Sequence, residues 1–198
     1  MDPNQQPVYS PQYGYSAPPP KKPAANKQMA IFVLLAIGLV LGIVMFMLNL
    51  GANDSKKQNI ILIDTVVAQE QELLRLNTLA KRGSADYDIA NVGANINTLT
   101  QSSLFKLTTY RAKVNKEKNL NEEVVLKTTD TEADARFQEA IKINRFKSEF
   151  KSTFEDRINL NLTTARTLYQ NTKDEELQSI LDQSIKNNES LLQEVQEL

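Results

Sequence analysis

The chain has 198 residues with 23 basic and 24 acidic side chains, and its formal net charge of −1 gives no general attraction to nucleic acid. It contains no cysteine and no histidine. Disulfides, thiol nucleophiles, cysteine-based zinc sites and a histidine general base are therefore excluded. Domains outside a eukaryotic cell usually carry disulfides, so the composition favours a protein of the bacterial envelope.

Residues 1–28 are predicted to form a disordered tail. All seven prolines lie between Pro3 and Pro23, next to Tyr9, Tyr13 and Tyr15. A segment of this composition buries little apolar surface and favours polyproline II. It is either a spacer or a docking peptide for a proline-binding domain. We favour the spacer, because proline-rich compositions are common in linkers.

Residues 29–50 are predicted to form a single transmembrane helix. Met29 to Leu48 contain no charged side chain. A helix of about 20 residues spans the roughly 30 Å of the hydrocarbon core, since each residue rises about 1.5 Å. A cleavable signal peptide would have a shorter apolar region followed by a small-x-small site, and residues 49–53 offer only a poor one. We therefore expect an uncleaved anchor in the lipid bilayer.

The charges that flank this segment predict its orientation. Lys21, Lys22 and Lys27 precede it, whereas Lys56 and Lys57 follow it beside Asp54. The positive-inside rule then places the N-terminus in the cytoplasm and residues 51–198 outside it. We expect a single-pass protein of the cell membrane.

Residues 51–198 are predicted to form an antiparallel bundle of about four helices. This part has no proline and only three glycines, and its apolar positions follow helical spacing. The helices are expected to start near Ser55, at residues 84–86, near Thr129 or Thr131, and at Thr172, where capping patterns occur. The third helix would extend over about 40 residues to Leu168. Residues 115–130 are interpreted as the longest loop, with a short extended piece at residues 124–126.

Four polar residues interrupt the apolar stripes of the first and last helices. They are Glu70, Asn77, Ser184 and Asn188. One interpretation is a buried polar network that sets the register of the helices or lines a ligand pocket. The other is that they lie at the rim of a rotating stripe, because an ideal helix drifts about 20° per heptad. We favour the rim interpretation.

Two sets of residues are predicted to mediate helix–helix interaction. Gly38 and Gly42 form a Gly-x-x-x-Gly pair that lets a second membrane helix approach closely. The last helix has a near-heptad seam that includes Leu177, Leu181, Asn188, Leu191 and Val195. Together they predict a homodimer. The alternatives are that glycine is merely common in membrane helices and that the seam serves the core of its own bundle.

Motifs that carry chemistry are missing from the sequence. Asp130, Glu132 and Asp134 alternate, but no glycine or distal glutamate completes a calcium loop, so we interpret them as charges near a helix N-terminus. We expect no enzyme activity, no cofactor and no metal. In outline the arrangement resembles the membrane-tethered ligand-binding regions of chemoreceptors. This resemblance is one of architecture only and assigns no role to any residue.

These patterns together predict a protein of the cell envelope. We expect a membrane-anchored bundle that acts in protein–protein interaction or as a structural scaffold, with other envelope proteins as partners. The alternative is a ligand-binding or sensory subunit, with a pocket between its helices and a partner that supplies the output. A cavity lined by Glu70, Asn77 or Asn188 would favour the alternative, whereas an interior filled by apolar side chains would favour the scaffold.

Overall fold

The computed structural model describes residues 55–82, 86–115 and 119–198, with side chains from Gln58 onward. Within these ranges the chain forms six helices and no strand, which confirms the prediction of an all-α helical bundle. The helices are α1 (Ser55–Ala80), α2 (Tyr87–Val114), α3 (Glu122–Thr128), α4 (Ala133–Lys142), α5 (Phe146–Asn171) and α6 (Glu175–Gln196).

The four long helices, α1, α2, α5 and α6, make up the bundle and run antiparallel to their neighbours. Near the start of α1, Asp64 pairs with Arg111 at the end of α2, whereas near the end of α1, Asn77 bonds to Gly93 in the early part of α2. Hydrogen bonds from α6 to α2 and to α5 follow the same reversed order. Helices α1 and α6 therefore point the same way and lie diagonally across the bundle.

The connection between α2 and α5 returns along the length of α1. The backbone N–H of Asn121 donates to Asp64 near the start of α1, and that of Asp130 donates to Glu72 near its middle. Phe137 of α4 then joins the core beside Leu76. This crossover brings the chain back to the end of the bundle where α2 began, so that α5 can start there.

Helix α1 is consequently the most enclosed element of the bundle. It contacts α2, α5, α3 and α4, and it reaches α6 through a hydrogen bond between Ser184 and Glu70. Every residue from Leu62 to Glu70 is buried, whichever way it faces around the helix. Its polar residues are therefore forced into the interior together with its apolar ones.

Buried apolar side chains form two cores, one in each half of the bundle, and the partly buried Ile185 packs against both. The half that contains the start of α1, here called the proximal core, comprises Leu62, Ile63, Val66, Val67, Leu107, Tyr110, Ala165, Leu168, Leu177 and Leu181. The distal core comprises Leu73, Leu76, Ala80, Ile89, Val92, Ile96, Ala133, Phe137, Phe146, Phe150, Phe154, Ile158, Leu162, Leu191 and Val195. Burial of this apolar surface is the main stabilising contribution to the fold.

The interpretation of residues 115–130 as a loop with an extended piece is wrong. Residues 122–128 form α3, and the side chain of Asn121 caps it by accepting hydrogen bonds from the backbone N–H groups of Glu123 and Val124. Acidic residues in its first turn and Lys127 in its last turn also suit the helix dipole. The capping asparagine and these charges outweigh the β preference of two adjacent valines.

The third predicted helix is two helices, because the chain breaks at residues 143–145. Asn144 adopts a left-handed conformation with φ of 55°, which asparagine tolerates better than most residues. Ile143, which continues the apolar spacing of the predicted third helix, is 53% exposed. The break turns α5 away from α4, and Phe137 packs edge-on against Phe146 across it, with 5.7 Å between ring centroids.

Capping residues fix the starts of α2 and α6. The carboxylate of Asp86 accepts hydrogen bonds from Asp88 and Ile89, which confirms the predicted start of the second helix. The capping residue of α6 is Asp174, two residues after the predicted Thr172, whose hydroxyl instead accepts from the N–H of Asp174.

The predicted membrane helix cannot be compared with this structure. Residues 1–54, which include the tail, the anchor at 29–50 and the Gly38–Gly42 pair, lie outside the described ranges. Among the helices within those ranges, none combines the length and the apolarity needed to cross a bilayer.

Candidate functional site: a buried polar layer

A layer of uncharged polar groups and one carboxyl separates the two apolar cores. Each of the four long helices contributes to it near the middle of its length. Its members, here called the polar layer, are Gln69 and Glu70 of α1, Thr100 and Ser103 of α2, Asn161 and Thr164 of α5, and Ser184, Asn187 and Asn188 of α6. All of them are at most 9% exposed.

Hydrogen bonds within the layer join helices that are distant in sequence. The hydroxyl of Ser184 donates to Glu70 Oε1 at 2.8 Å, which connects the two diagonal helices. Gln69 donates to Thr164 Oγ1 at 3.2 Å. Asn187 donates to Ser103 Oγ at 3.1 Å and thereby ties α6 to α2. Such bonds are satisfied in only one register of the four helices, so they specify how the helices align.

Asn188 lies at the centre of this network. Its amide nitrogen donates to the backbone oxygen of Ser184 at 2.9 Å, with longer contacts of 3.4 Å to Ser184 Oγ and Asn161 Oδ1. Asn188 is 3% exposed and Glu70 is completely buried. The interpretation of these residues as rim positions is therefore wrong, because four helices converge on them and leave no rim there.

Several buried atoms of the layer have no hydrogen-bond partner among the described residues. They are Gln69 Oε1, Glu70 Oε2, Thr100 Oγ1, Asn161 Nδ2 and Asn188 Oδ1. Three of these five atoms are carboxyl or amide oxygens, which only accept unless a carboxyl is protonated, and only one is an amide nitrogen. The hydrogen-bonding demands of the layer are therefore not all met by its own side chains, and one of the unmet atoms belongs to a carboxyl.

Glu70 is the only carboxyl in the polar layer. Burial raises its pKa and the hydrogen bond from Ser184 lowers it, with the net result that the pKa rises from 4.5 to about 8. A buried carboxylate without a cationic partner is costly, so the neutral acid is favoured near neutral pH.

Asn77 extends the polar interior towards the distal end. Its amide donates to the backbone oxygen of Gly93 at 2.7 Å, and its own Oδ1 is buried without a partner. The Cβ of any other residue at Gly93 would lie only 2.8 Å from that oxygen. Glycine at position 93 therefore allows the close contact between α1 and α2.

Charged side chains bind the crossover to the outside of α1. Arg111 forms a buried ion pair with Asp64 and also donates to the backbone oxygen of Asn119. Farther along, Glu72 pairs with Arg75 and accepts from the backbone N–H of Asp130.

Asp130 anchors the second of these attachments. It accepts from Arg136 at 2.8 Å and from Arg157 at 2.9 Å. Burial raises the pKa of this carboxyl, but the two guanidinium groups outweigh burial and hold it at about 2. Across residues 55–82, 86–115 and 119–198, no cluster of three carboxylates suited to a metal ion occurs.

The seam residues predicted on the last helix are buried within the chain's own bundle. Leu177 and Leu181 belong to the proximal core, and Leu191 and Val195 belong to the distal core. Asn188 is part of the polar layer between them. All five are at most 3% exposed. Contact with a second copy would therefore need a different surface.

The outward face of α2 differs from the rest of the surface because it has no charge. Residues 89–105 contain no acidic or basic side chain. Exposed positions recur at intervals of three and four residues, at Asn91, Ala94, Thr98, Gln101 and Phe105. Phe105 is 72% exposed. This strip, here called the α2 face, has the spacing with which one helix packs along another.

A shallow groove of about 410 Å³ continues the α2 face towards α6. It is lined by Phe105, Lys106, Thr109, Tyr110, Glu176, Ser179 and Ile180. A second groove of about 430 Å³, near the C-terminus, is lined by Asn144, Arg145, Lys147, Ser148, Lys151 and Leu198. Neither groove includes Glu70, Asn77 or Asn188.

These features define a class of protein, an antiparallel helical bundle with a crossover and a polar layer between two apolar cores. No protein-family model matches the chain, and comparison with curated proteins and with solved structures gives no match either.

Proposed function

We propose that the chain is a membrane-anchored helical-bundle protein of the cell envelope that acts in protein–protein interaction or as a structural scaffold. The observation that carries this proposal is the α2 face. Surface helices normally carry charges, whereas the centres of protein interfaces are depleted of them and enriched in aromatic residues. An exposed phenylalanine at the end of a strip without charges fits a surface that a partner covers.

The packing of the interior also supports interaction over ligand binding. The alternative, a ligand-binding or sensory subunit, needs a cavity lined by Glu70, Asn77 or Asn188. These side chains bond to other groups of the bundle, and the two grooves described above are lined by other residues. We therefore propose a helix of another envelope protein, laid along α2, as the occupant of the α2 face.

Site-specific photocrosslinking in cells tests this proposal. A photoreactive amino acid is placed at Thr98 in the middle of the α2 face, or at Thr163 on α5 as the matched control. Both threonines are exposed, and both hydroxyls donate to the backbone oxygen four residues earlier. We expect a crosslinked product of defined mass from position 98 and none from position 163.

Phe105→Glu supplies the second half of the experiment, because it places a charge on the α2 face. It should abolish the product from position 98, whereas Tyr169→Glu on α5, where the ring is 39% exposed, should leave it unchanged. Equal products from both positions, or persistence of the product in Phe105→Glu, would refute the interaction surface.

Two further measurements address the anchor and the homodimer. The intact mass of the mature protein should include residues 1–54, and the chain should stay with the membrane after alkaline extraction. A mature start near Asn53 would contradict the proposed anchor.

Crosslinking in membranes should be weakened by Gly38→Ile together with Gly42→Ile if those glycines pair two copies. Equal crosslinking with and without the double substitution would show that Gly38 and Gly42 do not pair two copies of the chain.

A further inference from the structure

We propose that Glu70 is a proton-binding site, and that loss of its proton loosens the polar layer and so makes the coupling of the two apolar cores sensitive to pH. The proposal rests on the position of Glu70 between the cores and does not depend on the α2 face or on the membrane anchor. It assigns a role to the one carboxyl in the layer.

The geometric basis of the proposal is the completely buried carboxyl of Glu70, one of whose oxygens has no partner among the described residues. Glu70 Oε1 already accepts from Ser184, and Glu70 Oε2 is buried without a partner. The amide oxygens of Gln69 and Asn188 also lack donors. A proton on Glu70 removes the buried negative charge and turns Oε2 from an atom that can only accept into one that can also donate. A negative charge at the same atom would instead add to the unmet demand for donors.

Among the residues whose side chains the structure describes, no cation forms an ion pair with Glu70 or contributes to its pKa. The ion pairs of the packed helices join other residues: Arg111 with Asp64, Lys127 with Glu123, Arg136 and Arg157 with Asp130, Arg166 with Glu189, and Lys186 with Asp182. Lys106 of α2 is exposed at the surface groove. Burial raises the pKa of Glu70 and the hydrogen bond from Ser184 lowers it, and the net result is a pKa of about 8.

Ionisation affects folding in a defined direction. The folded-state pKa of about 8 exceeds the ordinary value of 4.5. The stabilisation by the bound proton is therefore fully present below about pH 4.5 and is lost as the pH rises to about 8, because over this range the unfolded chain releases a proton that the folded chain keeps. The equilibrium constant for unfolding should rise by about tenfold per pH unit in this window.

The composition of the chain gives the experiment a low background. It has no histidine and no cysteine, the side chains that would otherwise titrate near neutral pH. The full chain in mild detergent is unfolded with urea at several pH values between 5 and 9, as wild type, Glu70→Gln and Glu139→Gln. Glutamine keeps the oxygen that accepts from Ser184 and adds a permanent donor. The control Glu139 is 63% exposed and pairs with Lys142 on the surface.

We expect the pH-dependent loss of stability in wild type and Glu139→Gln and its absence in Glu70→Gln. An infrared difference spectrum gives a direct reading: wild type should show a protonated carboxyl band that disappears with a midpoint near pH 8 and is missing in Glu70→Gln. If Glu70→Gln does not fold, the pH at which the protonated carboxyl band of the wild type is half lost tests the proposal by itself. A midpoint near 4.5, or equal slopes in wild type and a folded Glu70→Gln, would overturn the proposal. Stabilisation at pH 9 by potassium but not by choline would also overturn it, since a metal cation would then neutralise Glu70.

Discussion

The contact between Asn77 and Gly93 predicts that alanine at position 93 destabilises the chain even though alanine favours helices. Exchanging glycine for alanine inside a helix normally stabilises by about 1 kcal/mol. Here the added Cβ would lie 2.8 Å from Asn77 Oδ1. Because this oxygen is at the end of a side chain, the amide can rotate away, but the rotation breaks the hydrogen bond of 2.7 Å from Asn77 to the backbone oxygen of Gly93.

The magnitude follows from these opposing contributions. Loss of the hydrogen bond leaves a buried amide group without a partner, which costs about 1–3 kcal/mol and outweighs the gain in helix propensity. We expect Gly93→Ala to lower the free energy of unfolding by up to about 2 kcal/mol. In an Asn77→Ala background the clash and the hydrogen bond are both gone, so the same substitution should stabilise by up to about 1 kcal/mol. The sign of the effect therefore depends on residue 77.

A double-mutant cycle measures this dependence. The four chains (wild type, Gly93→Ala, Asn77→Ala and the double variant) are unfolded with urea in mild detergent and followed by far-ultraviolet circular dichroism. The expected coupling energy is about 1–3 kcal/mol, the difference between the two effects of the alanine. If Gly93→Ala has the same effect in both backgrounds, or stabilises the wild type, the close contact between α1 and α2 is not what position 93 requires.

Three other residues give separate predictions. Phe154 is fully buried and stacks 4.4 Å from Phe150, so Phe154→Ala should lower the free energy of unfolding by about 3–5 kcal/mol in urea titrations. The pKa of Asp130 is held at about 2 against an ordinary 3.8, so its ionised form stabilises the fold above about pH 4. Wild type should exceed Asp130→Asn in free energy of unfolding by about 1–2 kcal/mol, a value reduced by solvent because Arg136 is 37% exposed. This difference should shrink as the pH falls towards 2. Asn121→Ala removes the cap of α3 and should cost about 1 kcal/mol, seen as faster hydrogen exchange in α3 with α6 unchanged.

The sequence predicts the bundle because hydrophobic periodicity identifies each long helix independently of the others. Stripes such as Ile89, Val92 and Ile96 on α2, or Phe150, Phe154 and Ile158 on α5, are buried as expected. The break at Asn144 was missed because apolar residues continue on both sides of it without glycine or proline. The short helix α3 was missed because two adjacent valines suggested a strand, although Asn121 followed by acidic residues is a capping signal that identifies it.

The polar layer cannot be derived from any single helix. Periodicity shows that Glu70 and Asn188 interrupt an apolar stripe, but it does not show whether a fourth helix or water lies beyond them. Burial at these positions depends on α1 being surrounded on all sides, which in turn depends on the return path of residues 119–145. The α2 face does not follow from periodicity for the opposite reason: apolar spacing identifies the buried positions of a helix and carries no information about charge on its exposed side.

The enclosure of α1 makes the bundle mechanically unequal at its two ends. Tension applied to the chain at Ser55 acts on a helix that contacts four neighbouring helices and accepts, at Glu70, a hydrogen bond from Ser184 of α6. It therefore loads contacts with all five helices at once. Tension at Leu198 acts on α6, which packs mainly against α2 and α5 and has no crossover around it. A load that enters through residues before Ser55 therefore meets the most strongly held helix, and α6 is the element that a pull from the other terminus detaches first.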